Sequence, residues 1–260
     1  MKVAFPMLNV ILPSLPYQRL VDPMWQEEMD VARQSGHLVC LFDADQEKLY
    51  QQPNPEYATL YRGWMLPAAE YQQLVDMTPL LVSTDLYLAS HQATGWYDAI
   101  TPFTPQSNIV AASAAQVAID SFLMRNGRCF VKGTSKSFGS DSVISSSLEF
   151  DALLRKQEIA PEDLLLVREF IELSDQPEQR FFVVGNEAFG TKETPFPERL
   201  RPALKALASR WFYTVDVAYT KMGQPIIIEV GDGQVSDTKE WNVANLYSKV
   251  ISRLVELAAA

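Results

Sequence analysis

Cysteine and histidine are nearly absent, with two of each in 260 residues. His37 and His91 have no ligand-like spacing and are assigned no role. Cys40 and Cys129 lie singly inside apolar runs and read as buried thiols, not as a disulfide or a metal site. Basic residues are also short: 22 Lys and Arg stand against 32 Asp and Glu, a formal charge of −10. That balance argues against general nucleic-acid or anionic-membrane binding, and an anionic ligand then needs a local cationic site. No apolar run approaches the roughly 18 residues a membrane helix requires. The P-loop pattern Gly-x-x-x-x-Gly-Lys-Ser/Thr is missing, and there is no internal repeat. The first residues carry Lys2 and apolar content but are interrupted by Pro6, Asn9 and Pro13, with no small-residue cleavage site. They read as a first strand, Val3–Phe5, and its loop, and the chain is expected to be cytoplasmic.

What remains is ordinary for a globular protein: 47% hydrophobic and 21% charged residues. The length suits one large domain or two modest ones. Residues 1–105 alternate short apolar runs with helical stretches. Strands are expected at His37–Phe42, Tyr57–Leu66 and Leu80–Val82. Helices are expected from Asp22-Pro23 to Arg33, over Pro67–Met77 and over Thr84–Ala93. Such alternation predicts a small α/β domain with a parallel or mixed sheet. Thr101–Asn108, with two prolines among polar residues, marks the boundary to a second domain over 106–260. There a helix over 111–125 ends at Asn126-Gly127, and Ser146-Ser-Leu-Glu149 is a capping box opening another. Residues 241–258 form a closing amphipathic helix.

Charged residues inside apolar strands are the informative ones. Arg62, in Tyr61-Arg-Gly-Trp64, either binds an anion at a sheet edge or snorkels to the surface, the commoner case. Lys132 ends the strand Arg128–Gly133 and runs into the serine-rich loop 134–142, which contains Lys136. A point charge beside exposed backbone N–H groups suits phosphate, although an ordinary lysine beside a flexible loop has the same sequence. Arg168 and Arg180 lie among apolar neighbours in strands 164–173 and 178–184. Burying them requires an anionic partner, either a structural carboxylate such as Glu169 or Glu178 or a ligand phosphate.

Residues 211–219 and 226–230 read as a hairpin around Thr220–Pro225. With an even-numbered loop, Asp216 stands opposite Glu229, and Val215, Val217, Tyr219, Ile226, Ile228 and Val230 share an apolar face. Opposed carboxylates repel. A divalent cation between them would reverse that cost, whereas two solvated acids on an outer face is the plainer alternative. Gly231-Asp-Gly-Gln234 places a further carboxylate at the strand end.

In this order the pieces Phe130-Val-Lys-Gly133, Val167-Arg-Glu-Phe-Ile171, Gln179-Arg-Phe-Phe-Val-Val184 and Ile227-Ile-Glu-Val-Gly-Asp-Gly-Gln234 resemble the ATP-grasp superfamily. They are most similar to the clade named for two arginines and a lysine, found in phage and bacterial-conflict settings. Tyr61-Arg-Gly-Trp64 resembles that clade's preceding domain. The resemblance implies an α+β fold: an ATP-grasp unit of two α+β subdomains behind a small N-terminal α/β domain. It further implies that Lys132 and Lys136 contact ATP phosphates, that Glu169, Phe170 and Ile171 form the adenine hinge, and that Glu178 holds the ribose. Arg168 and Arg180 would face phosphate or an acyl-phosphate. Asp216, Glu229 and Asp232 would hold Mg²⁺, and Arg62 and Gln234 would contact substrate. Many members place an Asn two residues after the metal Glu; this chain has Gly231 there. The implied activity is ATP-dependent ligation of a small-molecule or peptide carboxylate to an amine through an acyl-phosphate. A kinase-like phosphotransferase and a non-catalytic Mg-ATP-binding module are the alternatives.

Overall fold

The structure is a computed structural model describing residues 7–259. The expected strand Val3–Phe5 falls outside these residues. Three four-stranded sheets organise the described chain.

The first sheet is built on β1 (Leu8–Pro13), buried along its whole length. It pairs in parallel with β2 (Leu38–Asp43) and with β4 (Ala58–Tyr61), and β3 (Lys48–Leu49) joins β2 antiparallel. A central parallel strand is covered on both faces, which is why its sequence is nearly all apolar. One face meets α1 (Gln26–Gln34), and the other meets α2 (Ala68–Met77) and α3 (Thr84–His91). The Asp22-Pro23 signal starts a 3₁₀ turn, with the Asp22 carboxylate accepting from Met24 N at 2.9 Å, before α1 proper. Leu80–Val82 is not a strand: Leu81 N donates one bond to Thr59 O, at 2.8 Å, and no ladder follows.

The second sheet is antiparallel and contains β5 (Ser107–Ala111), β6 (Cys129–Gly133), β7 (Val143–Ile144) and β8 (Leu164–Glu169), in the order β5-β8-β6-β7. Its strands alternate in period two. Cys129, Val131, Leu165 and Val167 pack under two helices, Ala115–Asn126 and Ser147–Lys156. Phe130, Lys132 and Arg168 consequently project from the opposite face. The first of these helices ends at Gly127, whose φ of +70° provides the left-handed cap.

The third sheet has the order β10-β9-β11-β12, from β9 (Gln179–Val184), β10 (Glu187–Phe189), β11 (Phe212–Tyr219) and β12 (Pro225–Asp232). Phe181, Val183, Val215 and Val217 meet the short helix Arg201–Ala206, together with Trp96 and Ile100 from the N-terminal half. The 93–103 segment thus packs on the third sheet. Phe182, Val184 and Phe212, on the other face, meet the closing helix and the first sheet. That closing helix buries Val243, Leu246, Tyr247, Val250, Ile251, Leu254 and Val255, as its periodicity predicts. It is α-helical over Val243–Asn245 and Ser252–Ala258, with a π-helical stretch, Leu246–Ile251, between them.

Candidate functional site

The second and third sheets face one another across a cleft of about 440 Å³. One wall carries Phe130, Lys132 and Arg168, followed by Glu169, Phe170 and Ile171 where β8 ends; the other carries Ile226, Ile228 and Glu229. Ser137, from the serine-rich loop, and Glu178 complete the rim. The lining combines apolar side chains with a few charged ones, the mix expected of a ligand pocket.

A small irregularity positions Glu229. The hairpin loop is odd-numbered, not even: Thr220 N bonds Gln224 O at 2.9 Å across Lys221, Met222 and Gly223, and Gly223 takes φ +73°. That loop alone would set Asp216 opposite Ile228. A β-bulge between the Asp216–Glu229 and Val217–Ile227 pairs absorbs one residue, Ile228, and restores the expected opposition of Asp216 and Glu229. The bulge also corrects the expected apolar face. Ile227 joins Val215, Val217 and Val230 in the core, whereas Ile226 and Ile228 turn into the cleft.

The two acids are not bare. Arg180 and Asp216 are register partners on β9 and β11, and the guanidinium donates to both carboxylate oxygens, at 2.8 and 2.7 Å. Lys239, on the loop after β12, adds a bond to Asp216 Oδ2 at 3.0 Å and also meets Glu178. Burial pushes the Asp216 carboxyl upward, but Arg180 and Lys239 outweigh it and hold the group below its usual value. Glu178 goes the other way: burial raises it, and Asp216 nearby adds to that beyond what Lys239 offsets. Glu229 accepts from Lys132 Nζ at 2.9 Å, an ion pair that spans the cleft. The repulsion expected from the opposed carboxylates is therefore cancelled by three cations. Lys239 had no signal in the sequence, because it lies in a loop; only the fold brings it to Asp216, at a left-handed φ of +44°.

The arginines differ. Arg180 has structural partners in Asp216 and in Asp237. Arg168 has none: only 6% exposed, it donates to Ser107 Oγ (3.1 Å), Thr104 Oγ1 (3.4 Å) and Ile228 O (2.6 Å), and makes no ion pair among the described residues. Neither Glu169 nor Glu178 meets it. Burial lowers its pKa to about 10, with Glu229 and Tyr97 opposing. A buried guanidinium held by neutral groups and lining a cleft is a ready anion site.

Other expected residues are placed elsewhere. Lys136 is exposed and lines a surface hollow with Thr134 and Gln157, outside the cleft. Asp232 and Gln234 are fully buried away from Glu229, with Gln234 Nε2 on Tyr71 Oη at 2.8 Å and on Asp232 Oδ1 at 3.2 Å. Arg62 does not snorkel. It is 0% exposed, paired with Glu28 at 2.7 and 3.1 Å, and donates to the carbonyls of Gly233, Gln234 and Ser236. Its partners lie far away in sequence, so the local pattern misleads.

Asp216 and Glu229, expected from the sequence to hold Mg²⁺, stand opposite one another, with Asp216 on Arg180 and Lys239 and Glu229 on Lys132. Mg²⁺ commonly uses one or two carboxylates together with substrate phosphates. No group of three or more acid, histidine or cysteine ligands exists among the described residues. Gly231 has a local reason for lacking a side chain: a Cβ there would come within 2.7 Å of Thr214 Oγ1 and 2.9 Å of Ser236 Oγ. Those hydroxyls bond one another at 2.9 Å and close off the position of an Asn ligand. The two-carboxylate set suits a cation that arrives with its own phosphate ligands.

Comparison with known proteins follows the same lines. Residues 62–254 match the model of the ATP-grasp domain, R2K clade family 3. No curated protein matches. Among solved structures the chain is similar to the D-cycloserine synthetase DcsG, at 14% identity and TM-score 0.67, covering 97% of this chain and 98% of that one. D-alanyl-alanine synthetase A from Vibrio cholerae aligns at 10% identity and TM-score 0.62, covering 98% and 99%. The ATP-grasp ligase PsnB, complexed with a precursor peptide and AMPPNP, aligns at 11% and 0.61, covering 96% and 97%.

Proposed function

The chain belongs to the ATP-grasp family, R2K clade, and from that premise we propose an ATP-dependent ligase that joins a carboxylate to an amine. The observation that carries the reading is Arg168, a buried cation with no carboxylate partner, beside Lys132, a lysine only 3% exposed that lines the same cleft. In a chain of net charge −10, a buried arginine without an acid, beside a buried lysine whose one acid is Glu229, calls for an anion.

Lys132 and Arg168 receive the phosphates. The apolar slot of Phe130, Ile171, Ile226 and Ile228 takes the adenine, with the chain from Glu169 to Ile171 as the hinge and Glu178 near the ribose. Asp216 and Glu229 would hold Mg²⁺, which supplies charge neutralisation on the phosphates. Glu229 becomes available as Lys132 transfers from it to the phosphate. Arg180 and Lys239 set the charge on Asp216 and orient its oxygens.

The reaction is a two-step ligation. A carboxylate oxygen attacks the terminal phosphorus and ADP leaves, giving an acyl-phosphate. The amine nitrogen then attacks the acyl carbon, and phosphate leaves as the nitrogen loses a proton. The chain contributes mainly positioning and preorganised charge. The solved neighbours act on amino acids and peptides by name, which supports substrates of that class.

The test is a mass-spectrometric screen of the full chain with Mg-ATP and pooled amino acids and peptides. The expected result is ADP, phosphate and a new amide. ADP with a phosphorylated product instead identifies a phosphotransferase, and nucleotide binding without turnover identifies a binding module.

A further inference from the structure

Beside the nucleotide cleft lies a second cavity, of about 220 Å³, between the start of α1, the exit of β4 and the loop after β12. It touches the main site through Asp237, whose side chain and carbonyl both accept from Arg180, the partner of Asp216. Two of its walls are indoles. Trp25 and Trp64 meet edge to face, with ring centroids 5.7 Å apart at 88°. Trp64 is held by a bond from its Nε1 to Asp22 at 2.9 Å and leaves about half its surface exposed. Trp25 is nine-tenths buried, and its indole N–H has no acceptor among the described residues.

The charges in the wall are one-sided. Glu27, Glu28 and Asp237 are acids; Arg62 is the one cation lining it, and Glu28 neutralises it in a fully buried pair. Glu27 is exposed, and the Asp237 side chain is 77% exposed. Arg62 already stands over the Trp25 ring, at 5.6 Å, and Asp237 is paired with Arg180. That leaves the carboxylate of Glu27 and the half-exposed ring of Trp64 to favour a cation in this half-open hollow, through a charge-assisted hydrogen bond and the ring quadrupole.

We infer that this cavity binds the amine substrate through a positive charge it carries, so that the amine is a basic amino acid or a peptide residue of that kind. The inference rests on the ligase reading for the role of the ligand, but the binding it describes is measurable without turnover. Asp237 links this cavity to Arg180 and thereby to Asp216, the register partner of the cleft residue Glu229.

Calorimetric titration of the full chain with L-lysine, L-arginine, L-leucine and L-glutamate tests it, in the presence of Mg²⁺ and a non-hydrolysable ATP analogue. Lysine or arginine should bind at least about tenfold tighter than leucine or glutamate. Glu27→Gln with Trp64→Leu should remove that preference and leave affinity for the nucleotide analogue unchanged. Equal affinity for all four, binding of none, or a preference that survives both substitutions overturns the proposal. The two readings fail separately. Amide formation with a neutral amine keeps the ligase and discards the cationic subsite. Selective lysine or arginine binding with no ADP release in any substrate pool keeps the subsite and discards the ligase.

Discussion

Arg180 and Asp216 are cross-strand neighbours on β9 and β11, and the guanidinium grips both oxygens of a carboxylate that is only 2% exposed. The pair explains how an acid and an arginine survive in the middle of apolar strands. It also separates the roles of two acids that look equivalent in sequence.

Asp216→Asn should destabilise the free protein, because it leaves Arg180 and Lys239 without their shared anion. Removing one member of a buried pair costs about 3–5 kcal/mol. Glu229→Gln should cost less, because its side chain is 37% exposed and the amide oxygen can still accept from Lys132, although that buried lysine loses its acid. Both substitutions should abolish Mg²⁺-dependent ADP release. Melting temperatures of the two variants, compared with wild type, check the first part; equal melting for all three refutes it. The wild-type contribution of Asp216 is present above the ordinary carboxylate range and fades as pH falls through its depressed pKa.

Lys132→Ala should weaken binding of ATP by about 1.5–3 kcal/mol, the value of one charge-assisted contact, while the fold persists. Calorimetry on the variant provides the measurement. Unchanged affinity would remove Lys132 from the phosphate site.

Asp232 gives a pH dependence of opposite sign to Asp216. Burial drives its pKa from 3.8 to about 7, against the bonds from Gln234 and the charge of Arg62. The folded state therefore keeps a proton that the unfolded chain releases. The Asp232 contribution to stability is full below about pH 4 and declines as pH rises through 7, by an amount on the order of a few kcal/mol. Asp232 Oδ2 and Gln234 Oε1 are both without partners, and Asp232→Asn supplies a permanent N–H₂ between strand end and loop. The variant should lose the decline between pH 4 and 7 and be more stable than wild type at pH 8. Denaturant titrations across that range decide it.

Residues 134–142 should exchange amide hydrogens rapidly without nucleotide and slowly with it. Lys136 is exposed and Gly139 takes φ +61°, while Ser137 already lines the cleft rim. Hydrogen exchange that is strongly protected in the free protein would contradict this.

Local pattern made much of this molecule legible. Period-two alternation placed Phe130 and Lys132 on one face of β6, and the helical stripe from Val243 to Val255 is buried as a set. Pairings across long sequence separations were not legible. Arg62 with Glu28 and Arg180 with Asp216 depend on which strands and helices become neighbours, and no local spacing encodes that. Leu80–Val82 has strand composition but finds no ladder, since tertiary context decides strand pairing. Lys239 sits in a loop, where periodicity carries no information.

The bulge at Ile228 and the loop Lys221–Gly223 act as two indels of opposite parity. With this sequence, the odd loop without the bulge would swap the inward and outward residues of β12 beyond Ile227 and set Glu229 opposite the core residue Val215. Made together they leave both carboxylates where an even-looped hairpin would put them. A residue lost within the turn leaves this ladder unchanged as long as Thr220 still closes on Gln224, so turn length can vary in a related chain without moving Glu229. The two carboxylates are separated by twelve residues in the chain, an even number that an odd-numbered loop accommodates only with one residue bulged out.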